Sequence, residues 1–228
     1  MSIFSRLKKP WGWGIALSVF LSVLFVFLAV RAADEDRWSD WGFGDAQTML
    51  SLKHWEEGGW IFNRFLFVPQ GYAKAAYLFD EPELNQHAHG INPGVSKRIG
   101  PKLRYTHYPA GYLIPYAVLF RLGLDDLPNV RLLSVLMSLG ALAMMYAVFS
   151  KITGPGVAFS AVVFYGISPA FLGYADSIAN QPIDDLLRFS FMLSVVFTSR
   201  AASEADKKVW MTAAWIIEFA LSLVSFDS

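Results

Sequence analysis

The 228-residue chain is 54% hydrophobic and 17% charged, with 19 Lys plus Arg against 19 Asp plus Glu, too apolar for a disordered protein and without the basic surplus that nucleic-acid binding requires. It has no cysteine, which excludes a disulfide framework, a thiolate metal site and a cysteine nucleophile. Aromatic residues reach 16%, with 8 Trp and 19 Phe, as in chains that meet lipid.

Residues 11–30 carry no charge, and as a helix they rise about 30 Å, the thickness of a bilayer's hydrocarbon core. A secretory leader has a shorter apolar stretch followed by small residues, whereas this one runs into Arg31. Residues 1–31 therefore read as a cytoplasmic N-terminus and an uncleaved anchor, with Arg6, Lys8 and Lys9 inside. The next segment is polar but patterned. Residues 45–58 set Met49, Leu52 and Trp55 at helical spacing beside Lys53, Glu56 and Glu57, which predicts a helix lying on the membrane surface. Turn-rich stretches follow at 69–71 and 92–94, then the run 105–111.

Apolar runs return at 132–149, 157–174, 182–199 and 209–226, and a short one at 112–124 carries Pro115 and Arg121. Each span reverses the side of the loop after it, so the short run decides the sidedness of the rest. If it does not cross, Lys151, Arg200, Lys207 and Lys208 join Arg6, Lys8 and Lys9 on the cytoplasmic side, as the positive-inside rule requires. It is read as a re-entrant or interfacial helix on the outer face, packed against protein. The expected fold is an all-α polytopic membrane protein of about five transmembrane helices. Residues 32–129 form a large outer loop with juxtamembrane helices, and residues 130–228 carry spans two to five.

The outer segments hold the residues able to do chemistry. Asp45, in Gly-Phe-Gly-Asp, reads either as an N-cap of the surface helix or as a general base whose pKa partial desolvation would raise. Asp34, Glu35, Asp36 and Asp40 form a solvated acidic linker, although paired acids can also hold a hard divalent cation. His87 and His89 lie two apart, but no further ligand pair is spaced for zinc. His107 and Tyr108 precede Pro109, which favours an extended residue before it and a helix after it. Arg131, at the outer mouth of a span, either snorkels to the headgroups or holds a phosphate in its donor fork. Asp176, Asp184, Asp185 and Arg188 flank the second outer turn. Acids are favoured at a helix N-terminus without any catalytic role, yet charges at the edge of hydrocarbon are costly enough to mark a site. Glu218, midway along the last span, calls for a partner.

In order, these features resemble the GT-C type membrane glycosyltransferases that use polyprenyl-phosphate sugars, in particular the protein mannosyltransferase and aminoarabinose transferase branch. One span leads into an outer loop that opens with an acid at the head of a surface helix closed by glycine, as in Asp45-Ala-Gln through Glu57-Gly58-Gly59-Trp60. His107-Tyr108-Pro109-Ala110-Gly111-Tyr112 is similar to the family's His-Pro-Pro run, with its second proline absent. Gly123 and Arg131 match a Gly and an Arg before the next span. Ser168-Pro169-Ala170-Phe171 matches a Ser-Pro element followed by an aspartate, here Asp176 or Asp184. Ala46 stands where the family carries a second acid.

The resemblance implies transfer of a sugar from a polyprenyl-phosphate carrier to a glycan, lipid or protein acceptor at the periplasmic face of a bacterial inner membrane. Asp45 and Asp184 would be catalytic, and His107, Tyr108, Arg131 and Asp176 would bind substrate. No redox cofactor is needed, and a divalent metal is compatible with the acids. The family usually has ten or more spans, so the chain reads as the N-terminal portion of such an enzyme. Two alternatives are a non-catalytic transport or assembly subunit and an inactive fragment.

Overall fold

A computed structural model describes residues 10–34, 42–60, 96–99, 102–105 and 110–224. The first helix, α1, covers Pro10–Ala32, and its last turn carries Arg31, a cation where the helix dipole favours one. Ile15, Val19, Val23, Val26 and Val30 recur at helical spacing and are exposed, while Leu24, Leu28 and Ala32 are buried. One side of α1 thus packs on protein and the other is the large apolar face expected where lipid is the solvent.

Helix α2 runs Gly42–Gly58 and stops at Gly59, whose φ of +78° suits a residue without Cβ. Thr48, Leu52 and Trp55 are buried on one face, packed on protein, and Lys53, Glu56 and Glu57 are exposed on the other, the amphipathic pattern read from the sequence. Its start differs from the sequence reading. Asp45 is the fourth helical residue rather than the cap, so its side chain lies on the buried face with Thr48 and Leu52.

Between α2 and the next helix lies an antiparallel hairpin, β1 (Ser96–Ile99) with β2 (Lys102–Tyr105), in the register Ser96 with Tyr105 and Ile99 with Lys102. The described residues are thus helical apart from this one hairpin. The short apolar run forms α3, Leu113–Arg121, whose nine residues rise about 14 Å, too little to cross a bilayer. Leu113, Tyr116, Ala117 and Phe120 face inward beneath α2. Gly111, just before α3, donates its N–H to the carbonyl of Leu223 at 2.9 Å. A Cβ there would stand 2.2 Å from that oxygen, so only glycine fits.

Helix α4, Leu127–Ile152, begins on Asp126, which accepts from the Asn129 amide at 2.8 Å, with a proline in the first turn. The apolar run read as one span at 157–174 is broken into α5, Pro155–Gly166, and α6, Pro169–Tyr174. Ser168 accepts from the Phe171 amide and Pro169 starts the second piece, so the Ser-Pro pair interrupts a helix that hydropathy alone would have continued. The last two helices are α7, Gln181–Arg200, and α8, Glu204–Val224.

Packing follows the chain: α1 and α5 lie against α4, α4 against α7, and α7 against α8. Among the described residues two helices, Gly12–Ala32 and Leu127–Ile152, are long and apolar enough to cross a membrane. Helices α7 and α8 have the length, but Asp184, Asp185 and Arg188 in one and Lys207, Lys208 and Glu218 in the other lower their apolarity. One end of the assembly gathers Arg31, Asp45, Arg131 and Asp176. The opposite end joins Arg200 to the carbonyl of Lys151. Two buried clusters support the first end. One surrounds Trp55, Leu113, Tyr116 and Ile178, and the other surrounds Leu28, Leu142, Phe171 and Ala175.

Candidate active site

The turn between α6 and α7 lies where the two clusters meet, because Ala175 is buried in one and Ile178 in the other. Its backbone is held from several sides. Ser138 Oγ donates to the Ala175 carbonyl at 3.1 Å, and Tyr116 Oη reaches the Ala179 carbonyl at 3.4 Å while bonded to Ser134 Oγ at 2.8 Å.

Asp45 closes on this turn from α2. Its Oδ1 accepts the Ile178 amide N–H at 2.7 Å and its Oδ2 lies 3.3 Å from Arg131 Nη2. Arg131 Nη1 donates to the Asp34 carbonyl at 3.1 Å, just past the end of α1. The acid is only 3% exposed and the arginine 5%. Arg131 is therefore neither snorkelling nor open to solvent. It is half of a buried ion pair between α2 and α4, and removing either charge alone would take a counterion from the other inside the protein.

A second pair lies beside the first. Arg31 Nη2 is 2.9 Å from Asp176 Oδ1 and 3.0 Å from the Leu172 carbonyl, with the Asp176 side chain 4% exposed. Asp184 is apart from this arrangement, paired along α7 with Arg188 at 2.7 Å. Its neighbour Asp185 accepts from Tyr165 and Tyr174, both at 2.7 Å. On the other side of Asp45, Thr48 Oγ1 meets Tyr112 Oη at 3.4 Å. Burial pushes the Tyr112 phenol up to about 12, with the Thr48 hydrogen bond pulling the other way. This hydroxyl stays neutral in any physiological medium.

Of the residues selected from the sequence, the structure brings Asp45, Arg131 and Asp176 to one turn. His107 and Tyr108, like His87, His89, Glu35, Asp36 and Asp40, lie outside the described residues. Among the described residues no group of three or more His, Asp or Glu side chains is placed to hold a metal ion. Sequence reasoning missed Arg31, used there only to argue against a cleaved leader, and the tyrosines that bracket Asp185. The available signal for Arg31 was its position, a cation at the end of an apolar run with Asp176 at the end of another.

Residues 109–225 match the family described as dolichyl-phosphate-mannose-protein mannosyltransferase. The chain belongs to that family. Membership makes it a membrane glycosyltransferase by family, of the GT-C type, in agreement with its two long apolar helices. The matched residues include Arg131, Asp176 and Asp184, while α1 and Asp45 precede them. No curated protein and no solved structure matches the chain.

Proposed function

We propose that this mannosyltransferase-family chain moves a sugar from a polyprenyl-phosphate carrier to an acceptor hydroxyl or amine at the outer face of a bacterial inner membrane. The observation that carries this reading is the buried Asp45–Arg131 pair, 3.3 Å apart, at the end of the assembly where α2, α4 and the α6–α7 turn meet. A carboxylate and a guanidinium held side by side supply the two functions the reaction needs, a proton acceptor for the nucleophile and a donor fork for the leaving phosphate.

In this mechanism the acceptor atom attacks the anomeric carbon and its proton passes to Asp45. The bond from that carbon to the phosphate oxygen breaks, and the electron pair leaves on the polyprenyl phosphate, whose charge Arg131 neutralises. A single displacement inverts the anomeric centre. Before the donor arrives, Arg131 shields Asp45. A phosphate drawn to the guanidinium competes for the same N–H groups and draws Arg131 toward the leaving group as the acceptor enters. Asp184 orients the acceptor or donor sugar from the first turn of α7, and His107 and Tyr108 contact the donor from the run before α3. Five crossings, by α1, α4, the α5–α6 unit, α7 and α8, put Asp45, Arg131 and Asp184 on the outer side.

The test is transfer of labelled sugar from a polyprenyl-phosphate donor in membranes containing the full-length protein. Arg131→Ala should weaken donor use by about 10–150-fold, since a charge-assisted contact to phosphate is worth about 1.5–3 kcal/mol. Arg131→Lys should recover only part, because lysine lacks the planar fork. Unchanged transfer in Arg131→Ala would remove the arginine from the reaction.

A further inference from the structure

The two ion pairs belong to one closed circuit. From Arg31 it runs through Asp176 at 2.9 Å, along the backbone to Ile178, and through the Ile178 amide to Asp45 at 2.7 Å. It continues through Asp45 to Arg131 at 3.3 Å and through Arg131 to the Asp34 carbonyl at 3.1 Å, three residues from its start. Four chain segments far apart in sequence thus fix one another. The carboxylate of Asp45 takes its orientation from the Ile178 N–H, and that N–H points where the 175–178 turn places it. Arg31 donates at two points, to the side chain of Asp176 in the turn and to the carbonyl of Leu172 inside α6. A single guanidinium therefore sets the turn against the helix that leads into it.

We propose that Arg31 is a positioning residue for Asp45, acting through Asp176 and the Ile178 amide, so that the outer end of the first helix sets the geometry of the reacting acid. This rests on the function proposed above for Asp45. It also gives Asp176 a different part from substrate binding, because its carboxylate is buried on Arg31.

The test uses the full-length protein in membranes and two readouts, one of which needs no activity. The chain has no cysteine, and Ser177, fully buried in the turn, can be replaced in Ser177→Cys to report exposure of the turn by its rate of maleimide labelling. In that background Arg31→Gln and Asp176→Asn should each raise labelling by about tenfold or more through local opening, and Arg31→Lys, which keeps the charge, should raise it less. For transfer, Arg31→Gln should lower kcat by about 10–100-fold with the donor KM within about twofold, since misplacing a reacting group costs rate rather than affinity. Adding Asp176→Asn should cost little more, as the two act as one unit.

Unchanged labelling in Arg31→Gln would overturn the proposal, as would a raised donor KM at constant kcat, which would return Asp176 to the substrate. Additive losses in the double variant would also overturn it. If labelling rises as expected while the unsubstituted protein uses no polyprenyl-phosphate sugar, the transfer reading fails and the hold of Arg31 on the turn stands.

Discussion

The amide of Ile178 donates to the carboxylate of Asp45, 133 residues earlier in the chain, at 2.7 Å. This bond ties α2 to the turn between two helices of the bundle, and it makes Asp45 part of a buried electrostatic unit rather than a free acid at a helix start.

The first consequence concerns stability. Were Asp45 a simple cap, Asp45→Asn would be nearly neutral, because asparagine caps about as well as aspartate. In its observed place the amide oxygen can still accept from Ile178, but the Arg131 charge loses the Asp45 carboxylate beside it inside the protein. Asp45→Asn should therefore destabilise by about 3–5 kcal/mol, as breaking a buried pair does. Thermal unfolding of the purified protein in detergent measures this, and an unchanged midpoint would mean that the pair contributes no net stability.

A second prediction concerns the contact between Gly111, just before α3, and the end of α8. Gly111→Ala drives a methyl into the Leu223 carbonyl, and the strand of chain leading into α3 must move away. The expected cost is about 1–3 kcal/mol, the usual range for overpacking a tight contact. Gly123→Ala instead places a side chain at a φ of +73°, with open space around it. Comparing the two unfolding midpoints separates steric contact from backbone strain.

Much of this architecture was legible in the sequence, because hydrophobic length and helical periodicity are local quantities. The first helix, the surface helix with Leu52 and Trp55 on its inner face, and the short helix at 113–121 each follow from nearest neighbours along the chain. The break at Ser168-Pro169 was also written there, as a cap residue followed by a helix-starting proline. An average over eighteen apolar residues conceals two such positions. What a single sequence could not show is pairing. Asp45 meets Arg131 across 86 residues and Arg31 meets Asp176 across 145, and no periodicity reports contacts of that range. Charges at the ends of apolar runs read equally as snorkelling side chains, so Arg31 and Arg131 acquire meaning only when the helix ends are assembled.

A third prediction addresses sidedness. With five crossings, a reporter active only outside the membrane should score inside when fused after Gly154 and outside when fused after Ile178. The reverse result would mean that the segment around α3 crosses the membrane. The positive-inside balance of Lys151, Arg200, Lys207 and Lys208 would then need another explanation.

The central claim is that the Asp45–Arg131 pair is reaction machinery and not only a brace. It is tested most directly by comparing Asp45→Asn with the double variant Asp45→Asn/Arg131→Gln, following both unfolding and sugar transfer in the full-length protein. Removing the second charge as well takes away the desolvation cost of an arginine that has lost its Asp45 carboxylate, so the double variant should regain much of the stability lost in the single one. Transfer should stay about 10²–10⁴-fold down in both, since neither contains a proton-accepting carboxylate. Recovery of transfer in step with stability would show that the pair serves only to hold the fold, and would contradict the mechanism.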